Sequence, residues 1–180
     1  VVYGDSGTGK SAFFSRILDT KFCHDKGGSW LNLHNQVLAR HICRVQDDDS
    51  LSPIKWVRSL AGQIFLAFVQ TGQLSAALKI GGHKDRESFT SWLESQGSVR
   101  TVLGEYILPL LNTITNADSL NGKDLIMIDS LDEARTLNIL KGDTKSGTIV
   151  SYLLEFRTKW PAWIHFLATS RPDLKIKTEL

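Results

Sequence analysis

Only two cysteines, Cys23 and Cys43, occur in 180 residues. That is too few for a disulfide framework, and a reducing, cytoplasmic setting is the simplest one for them. Neither belongs to a C-x-x-C pair, and Cys23 and His24 are adjacent. The set Cys23, His24, His41 and Cys43 therefore lacks zinc-site spacing and reads as core or surface residues. No apolar run approaches 18 residues, so no membrane span is expected. The first residues show no basic stretch leading into an apolar one, as a signal peptide would. Charge of one sign is also scarce: 21 Lys and Arg against 19 Asp and Glu leave a net charge of +2. With no basic block, nucleic acid is not an expected partner. The one charge run is acidic, Asp47 to Asp49, and reads as a solvated loop or helix cap. There is no internal repeat or low-complexity tract.

What is present is glycine in one place. Val1-Val2-Tyr3, a β-branched and aromatic run read as the end of a buried strand, is followed at once by Gly4-Asp5-Ser6-Gly7-Thr8-Gly9-Lys10-Ser11. This fits G-x-x-x-x-G-K-[ST], in which glycines let the backbone turn with positive φ and approach a ligand closely. Successive N–H groups then point inward at a helix N-terminus and form an anion cradle. Gly4 through Ala12 are the candidate phosphate-binding residues. Lys10 supplies an ammonium for the terminal phosphates, and Ser11 a hydroxyl for Mg²⁺. The bland alternative is a flexible Gly/Ser turn. Against it, Phe13, Phe14, Ile17 and Leu18 follow at helical spacing, giving strand, glycine loop and helix in order. A three-residue strand is short for a sheet centre, so the chain reads as a piece of a longer one.

Further along, Gln36 to Val45 leans towards strand. Ser52 as N-cap and Pro53 at the first helical position open a helix. Its Trp56, Leu60, Ile64, Phe65 and Phe68 share one face, and Gly72 stops it. Gly81-Gly82 break a weaker region before a short helix around Glu87 to Ser95. A helical stretch near Val99 to Ile114 carries Pro109 as a kink or end. Leu125 to Ile128 reads as a strand buried on both faces. A helix running to Pro161 and the strand Ile164 to Thr169 follow. Alternating strands and helices predict an α/β three-layer sandwich with a mainly parallel sheet in one 180-residue domain. The five tryptophans read as core.

Ligands of open parallel sheets sit at the carboxyl ends of the strands, where two further groups fall. Asp129 emerges from an apolar strand, a costly place for a carboxylate unless a cation or hydrogen bonds satisfy it. It suits the second Mg²⁺ contact. Asp132 and Glu133 follow within a turn, and either could act on an attacking water; the bland alternative is an acid-rich helix start. In "FLATSRPD", Pro172 forbids the strand's continuation. Arg171 can there reach a γ-phosphate, or else pair with Asp173 on the surface.

GDSGTGKS, IMIDSLDEA and ATSRP, in that order, resemble the NACHT family of signal-transduction ATPases with numerous domains (the STAND class). The signature is Asp129-Ser130-Leu131-Asp132-Glu133, with Ser130 where glycine is usual. The stretch "RHICRVQDDDSLSPIKWVRSLAGQI" is similar to that of NACHT proteins bearing ankyrin, tetratricopeptide or WD repeats. Lys10 and Asp129 lie 119 positions apart, long for the family, which implies an insertion. The resemblance implies a P-loop fold of the additional-strand type, with the last strand between those of the glycine loop and Asp129. It implies ATP and Mg²⁺ as ligands and slow hydrolysis. Of the two acids, Glu133 is the better base candidate by reach, with Asp132, shorter, as its understudy, and Arg171 is placed at the γ-phosphate. It further implies a nucleotide-dependent switch between monomer and homo-oligomer, protein partners engaged through flanking domains, and helical and winged-helix parts beyond Leu180.

Other classes fit less well. A GTPase needs N-K-x-D late in the chain, whereas "NGKD" at Asn121 to Asp124 misplaces the lysine and reads as a turn. An ABC ATPase needs an LSGGQ-type signature, which is absent. "GDTKSGT" at Gly142 to Thr148 lacks G-K-[ST] and follows no strand. From a different class, the loop could be vestigial and the chain a scaffold for protein interactions; intact Lys10, Ser11 and Asp129 argue against that.

Overall fold

A computed structural model describes residues 1–5, 7–134 and 147–172. Four strands, β1 (Val2–Tyr3), β2 (Val37–Ile42), β3 (Leu125–Asp129) and β4 (His165–Ser170), form one sheet in the order β1-β4-β3-β2. Every pairing is parallel. Val2 and Tyr3 lie beside Thr169 and Ser170, and Leu125 to Ile128 lie beside His165 to Ala168. β4 thus separates the strand of the glycine loop from the strand of Asp129, the order the resemblance implies.

The sheet is covered on both faces because its strands are apolar on both. Successive side chains of a strand point to opposite sides. Leu125 and Met127 join Phe14 and Ile17 in one buried cluster. Ile126, Ile128 and Ala168 join the larger cluster on the other face. The first face carries α1 (Lys10–Leu18), α2 (Thr20–Lys26) and α3 (Gly28–Gln36). α1 buries Phe14 and Ile17, while Phe13, 36 % exposed, rests on Trp30 of α3. Neither α2 nor α3 has a pattern that the sequence made plain.

The second face is built on α5 (Pro53–Gln70). Trp56, Leu60, Ile64, Phe65 and Phe68 are all buried, as the 3.6-residue period requires. Pro53 opens the helix, although the Ser52 hydroxyl makes no capping bond. Gly72 at φ +77° leaves it, a left-handed position that glycine adopts without strain. A four-residue α4 (Asp48–Leu51) precedes it, capped by the Asp47 side chain. Next come α6 (Leu74–Ile80), α7 (Arg86–Ser95) and α8 (Val99–Thr101). α8 runs through a π-helical turn (Val102–Ile107) into α9 (Leu108–Leu111). Pro109 has no N–H to give to the preceding turn, and the helix widens just before it. A 3₁₀ turn (Ala117–Leu120) leads into β3, and α10 (Ile149–Glu155) precedes β4.

One expectation is corrected. Val1 to Tyr3 is not a buried strand: β1 is an edge of the described sheet, with Val2 37 % and Tyr3 36 % exposed. The tryptophans are core residues: Trp56 is fully buried, and Trp30, Trp92, Trp160 and Trp163 pack part-buried against the two core clusters. The "NGKD" segment is a turn, with Asn121 and Gly122 at positive φ and Lys123 donating to the Val37 carbonyl at 3.3 Å. Ser6, most of Gly142 to Thr148, and Asp173 lie outside the described residues.

Candidate functional site

The parallel sheet brings three chain segments to one end. Tyr3 runs into the glycine loop, β3 ends on Asp129, and β4 ends on Ser170. Between them is a cavity of about 320 Å³ walled by Gly7 to Ala12, Ser130, Asp132, Glu133 and Arg171. A second cavity of about 340 Å³ adjoins it, sharing Ser11, Ser130 and Glu133 and adding Asp129 and the 42–46 segment.

The loop is shaped by its glycines. Gly7 at φ +81° and Gly9 at φ +84° occupy left-handed backbone, which a Cβ would strain. Open space surrounds both. Gly4 is required for room: a Cβ there would stand 2.6 Å from the Thr8 hydroxyl. That hydroxyl donates to the Asp5 carbonyl at 2.8 Å and ties the loop across itself. Lys10 folds back over the loop, donating to the carbonyls of Gly4 and, at 2.8 Å, Asp5. Among the described residues its ammonium meets no carboxylate, only neutral oxygens.

Asp129 is buried at 4 % exposure, and the Thr169 hydroxyl donates to it. Thr169 also accepts from the Ser130 N–H at 3.0 Å, and its carbonyl accepts from the Leu131 N–H at 2.8 Å. Thr169 therefore locks the turn after β3 onto β4. That turn needs Ser130 at φ +57°, which explains why glycine suits the position after the aspartate. Ser11 and Asp129 line the second cavity together.

The paired acids part company. Asp132 accepts from Arg171 at two points, the backbone N–H at 2.9 Å and Nε at 2.5 Å, which holds the guanidinium still more firmly protonated. Glu133 reaches a further segment as well: its Oε2 accepts from the Val45 N–H at 2.7 Å, while its Oε1 stands 4.0 Å from Arg171 Nη2. Neither the Asp132 bond to Arg171 nor the Val45 contact was apparent in the sequence. Behind them Cys43 is buried, its thiol pushed up to about 12 by desolvation and then by the charges of Glu133, Asp129 and Asp132.

The residues fit a phosphate chain: a cation without an acidic partner among the described residues faces an open glycine loop at the start of a nine-residue helix. They also fit a divalent ion, because a hydroxyl and a carboxylate share one cavity. No group of three or more His, Cys, Asp or Glu side chains is gathered for a metal among the described residues. An ion here would need oxygens from a ligand and water, the usual arrangement for Mg²⁺. Cys23 instead donates to the Arg16 and Ile17 carbonyls, at 3.2 and 3.4 Å. No described helix is long and apolar enough to cross a membrane.

Fold and site together define a parallel α/β domain with a glycine loop at the carboxyl edge of its sheet. The chain matches the family described as nephrocystin 3, N-terminal, over residues 1–171, and it belongs to that family. The family matched is this one and not the NACHT family that the motifs resemble. No curated protein and no solved structure matches the chain.

Proposed function

We propose that the chain is a Mg·ATP-binding module of the additional-strand class of P-loop NTPases, and that in the intact protein it is a NACHT-like switch with slow hydrolysis. The observation that carries this reading is the convergence of Lys10, Ser11, Asp129, Glu133 and Arg171, from three strand ends, on two adjoining cavities. The strand order supports the class, since β4 intervenes between β1 and β3.

In this reading the loop amides and Lys10 take the phosphates, and a bound Mg²⁺ supplies charge neutralisation between them. Ser11 and Asp129 would hold that ion. Glu133, which lines the first cavity, takes a proton from water. Arg171 marks the terminal phosphate, held in place by Asp132. The intact protein would use this site to couple nucleotide state to self-assembly and to partners bound by its other domains.

Labelled ATP titrated with and without Mg²⁺, with ADP and GTP as competitors, tests the reading. Saturable binding that strengthens with Mg²⁺ is expected. Absence of binding under both conditions would favour a scaffold whose loop is vestigial.

A further inference from the structure

The geometry points to the turn after β2, residues Arg44 to Ser50, as the device that aims Glu133: the Val45 N–H holds one carboxylate oxygen so that the other faces the attacking water. This rests on the reading of Glu133 as general base.

The contact spans 88 positions of sequence. A carboxylate has two oxygens, and here they have separate surroundings. Oε2 is taken by Val45 at 2.7 Å. Oε1 lies 4.0 Å from Arg171 Nη2, and both residues line the first cavity. Fixing Oε2 removes rotation about the last side-chain bonds, so Oε1 is presented in one direction. Such orientation is what a general base requires before its basicity matters.

The donor is a backbone amide, so its position depends on the turn that carries it. Ser50 is the hub of that turn. Its hydroxyl accepts from the Arg44 N–H at 2.8 Å and donates to the Asp47 carbonyl at 2.7 Å. The Ser50 carbonyl accepts from His41 Nε2 at 2.6 Å, which binds the turn back to β2. The Asp47 carboxylate accepts from the Asp49 N–H at 3.1 Å, and the Asp47 N–H donates to Arg44 at 2.9 Å. The Cys43 N–H donates to the Asp129 carbonyl at 3.0 Å, registering the turn's start to β3. The acidic run that reads as a solvated cap is thus also the frame of a positioning loop. Ser50 and the Val45 amide are positioning groups, since neither faces the first cavity.

The test is a cycle in the intact protein with Ser50→Ala, Glu133→Gln and the pair, reading ATP affinity and single-turnover hydrolysis separately. Ser50→Ala is expected to slow hydrolysis about tenfold, the low end for a misdirected base, with affinity changed less than about twofold. In the Glu133→Gln background the same substitution should slow it no further, because no base remains to aim. An equal slowing in both backgrounds would overturn the inference, since the turn would then act on structure alone. Parent-like hydrolysis in Glu133→Gln would instead remove the base, and the inference with it. Amide exchange at Val45 gives a readout independent of turnover: it should accelerate in Glu133→Ala, and unchanged exchange would mean that no such bond forms.

Discussion

Asp132 grips Arg171 from both ends of the residue, accepting from its backbone N–H at 2.9 Å and from its side-chain Nε at 2.5 Å. One carboxylate therefore fixes both where the chain leaves β4 and where its guanidinium points. The Asp132 side chain is only 11 % exposed, whereas that of Arg171 is 51 % exposed. Glu133 Oε1 stands 4.0 Å from Nη2, and the residue lines the first cavity, where a ligand can meet it.

If Arg171 reads the terminal phosphate, Arg171→Ala should narrow the preference for ATP over ADP by about tenfold, as expected for a hydrogen bond to a charged group. Asp132→Asn should narrow it in the same direction, and the pair should not exceed Arg171→Ala alone. Calorimetric affinities for both nucleotides check this; additive losses would separate the two residues.

Glu133→Gln should bind ATP as the parent does and hydrolyse it at least about tenfold more slowly. In the intact protein that variant should accumulate in the ATP-bound, associating state, visible by size-exclusion with light scattering. Parent-like turnover there, with turnover lost in Asp132→Asn, would exchange the roles of the two acids.

Ser130 at φ +57° makes a backbone prediction. Ser130→Val should cost about 1–2 kcal/mol, because a β-branched residue resists left-handed backbone. Ser130→Gly should fold and bind nucleotide normally. Thermal melts decide; a stable Ser130→Val would mean that the turn after β3 is not as described.

The Cys43 thiol gives the pH dependence its sign. Its folded value, about 12, lies above the ordinary 9.0, so the folded state keeps a proton that the unfolded chain releases. The associated stability is present below pH 9 and is lost as pH rises from 9 towards 12, by about 1.4 kcal/mol per pH unit. Denaturant titrations should show the alkaline fall flattened in Cys43→Ala. An identical slope in parent and variant would mean that the thiol is not desolvated.

The sequence makes the sheet legible where chemistry and periodicity agree. Leu125 to Ile128 could only be a strand covered twice, and the α5 face from Trp56 to Phe68 declares itself by spacing alone. The order β1-β4-β3 came from the resemblance, not from any local pattern. α2 and α3 carry no clear periodic signal because Thr20 to Gln36 is short, polar and broken by Gly27 and Gly28, so its helices depend on packing against α1. The site residues were legible by type, but their pairing was not. A carboxylate at 132 or 133 can reach several partners, and only the fold brings Asp132 to Arg171 and Glu133 to Val45. The edge position of β1 was equally invisible, since Val-Val-Tyr has the composition of a buried strand.

The most direct test compares Mg·ATP affinity in the parent and in Lys10→Ala at matched ionic strength. Among the described residues the Lys10 ammonium contacts only loop oxygens, so the variant should keep the parent's melting temperature. Its affinity should fall by about thirtyfold or more, the low end for losing one partner of a hydrogen-bonded charge pair. Equal affinity in both proteins would contradict the account.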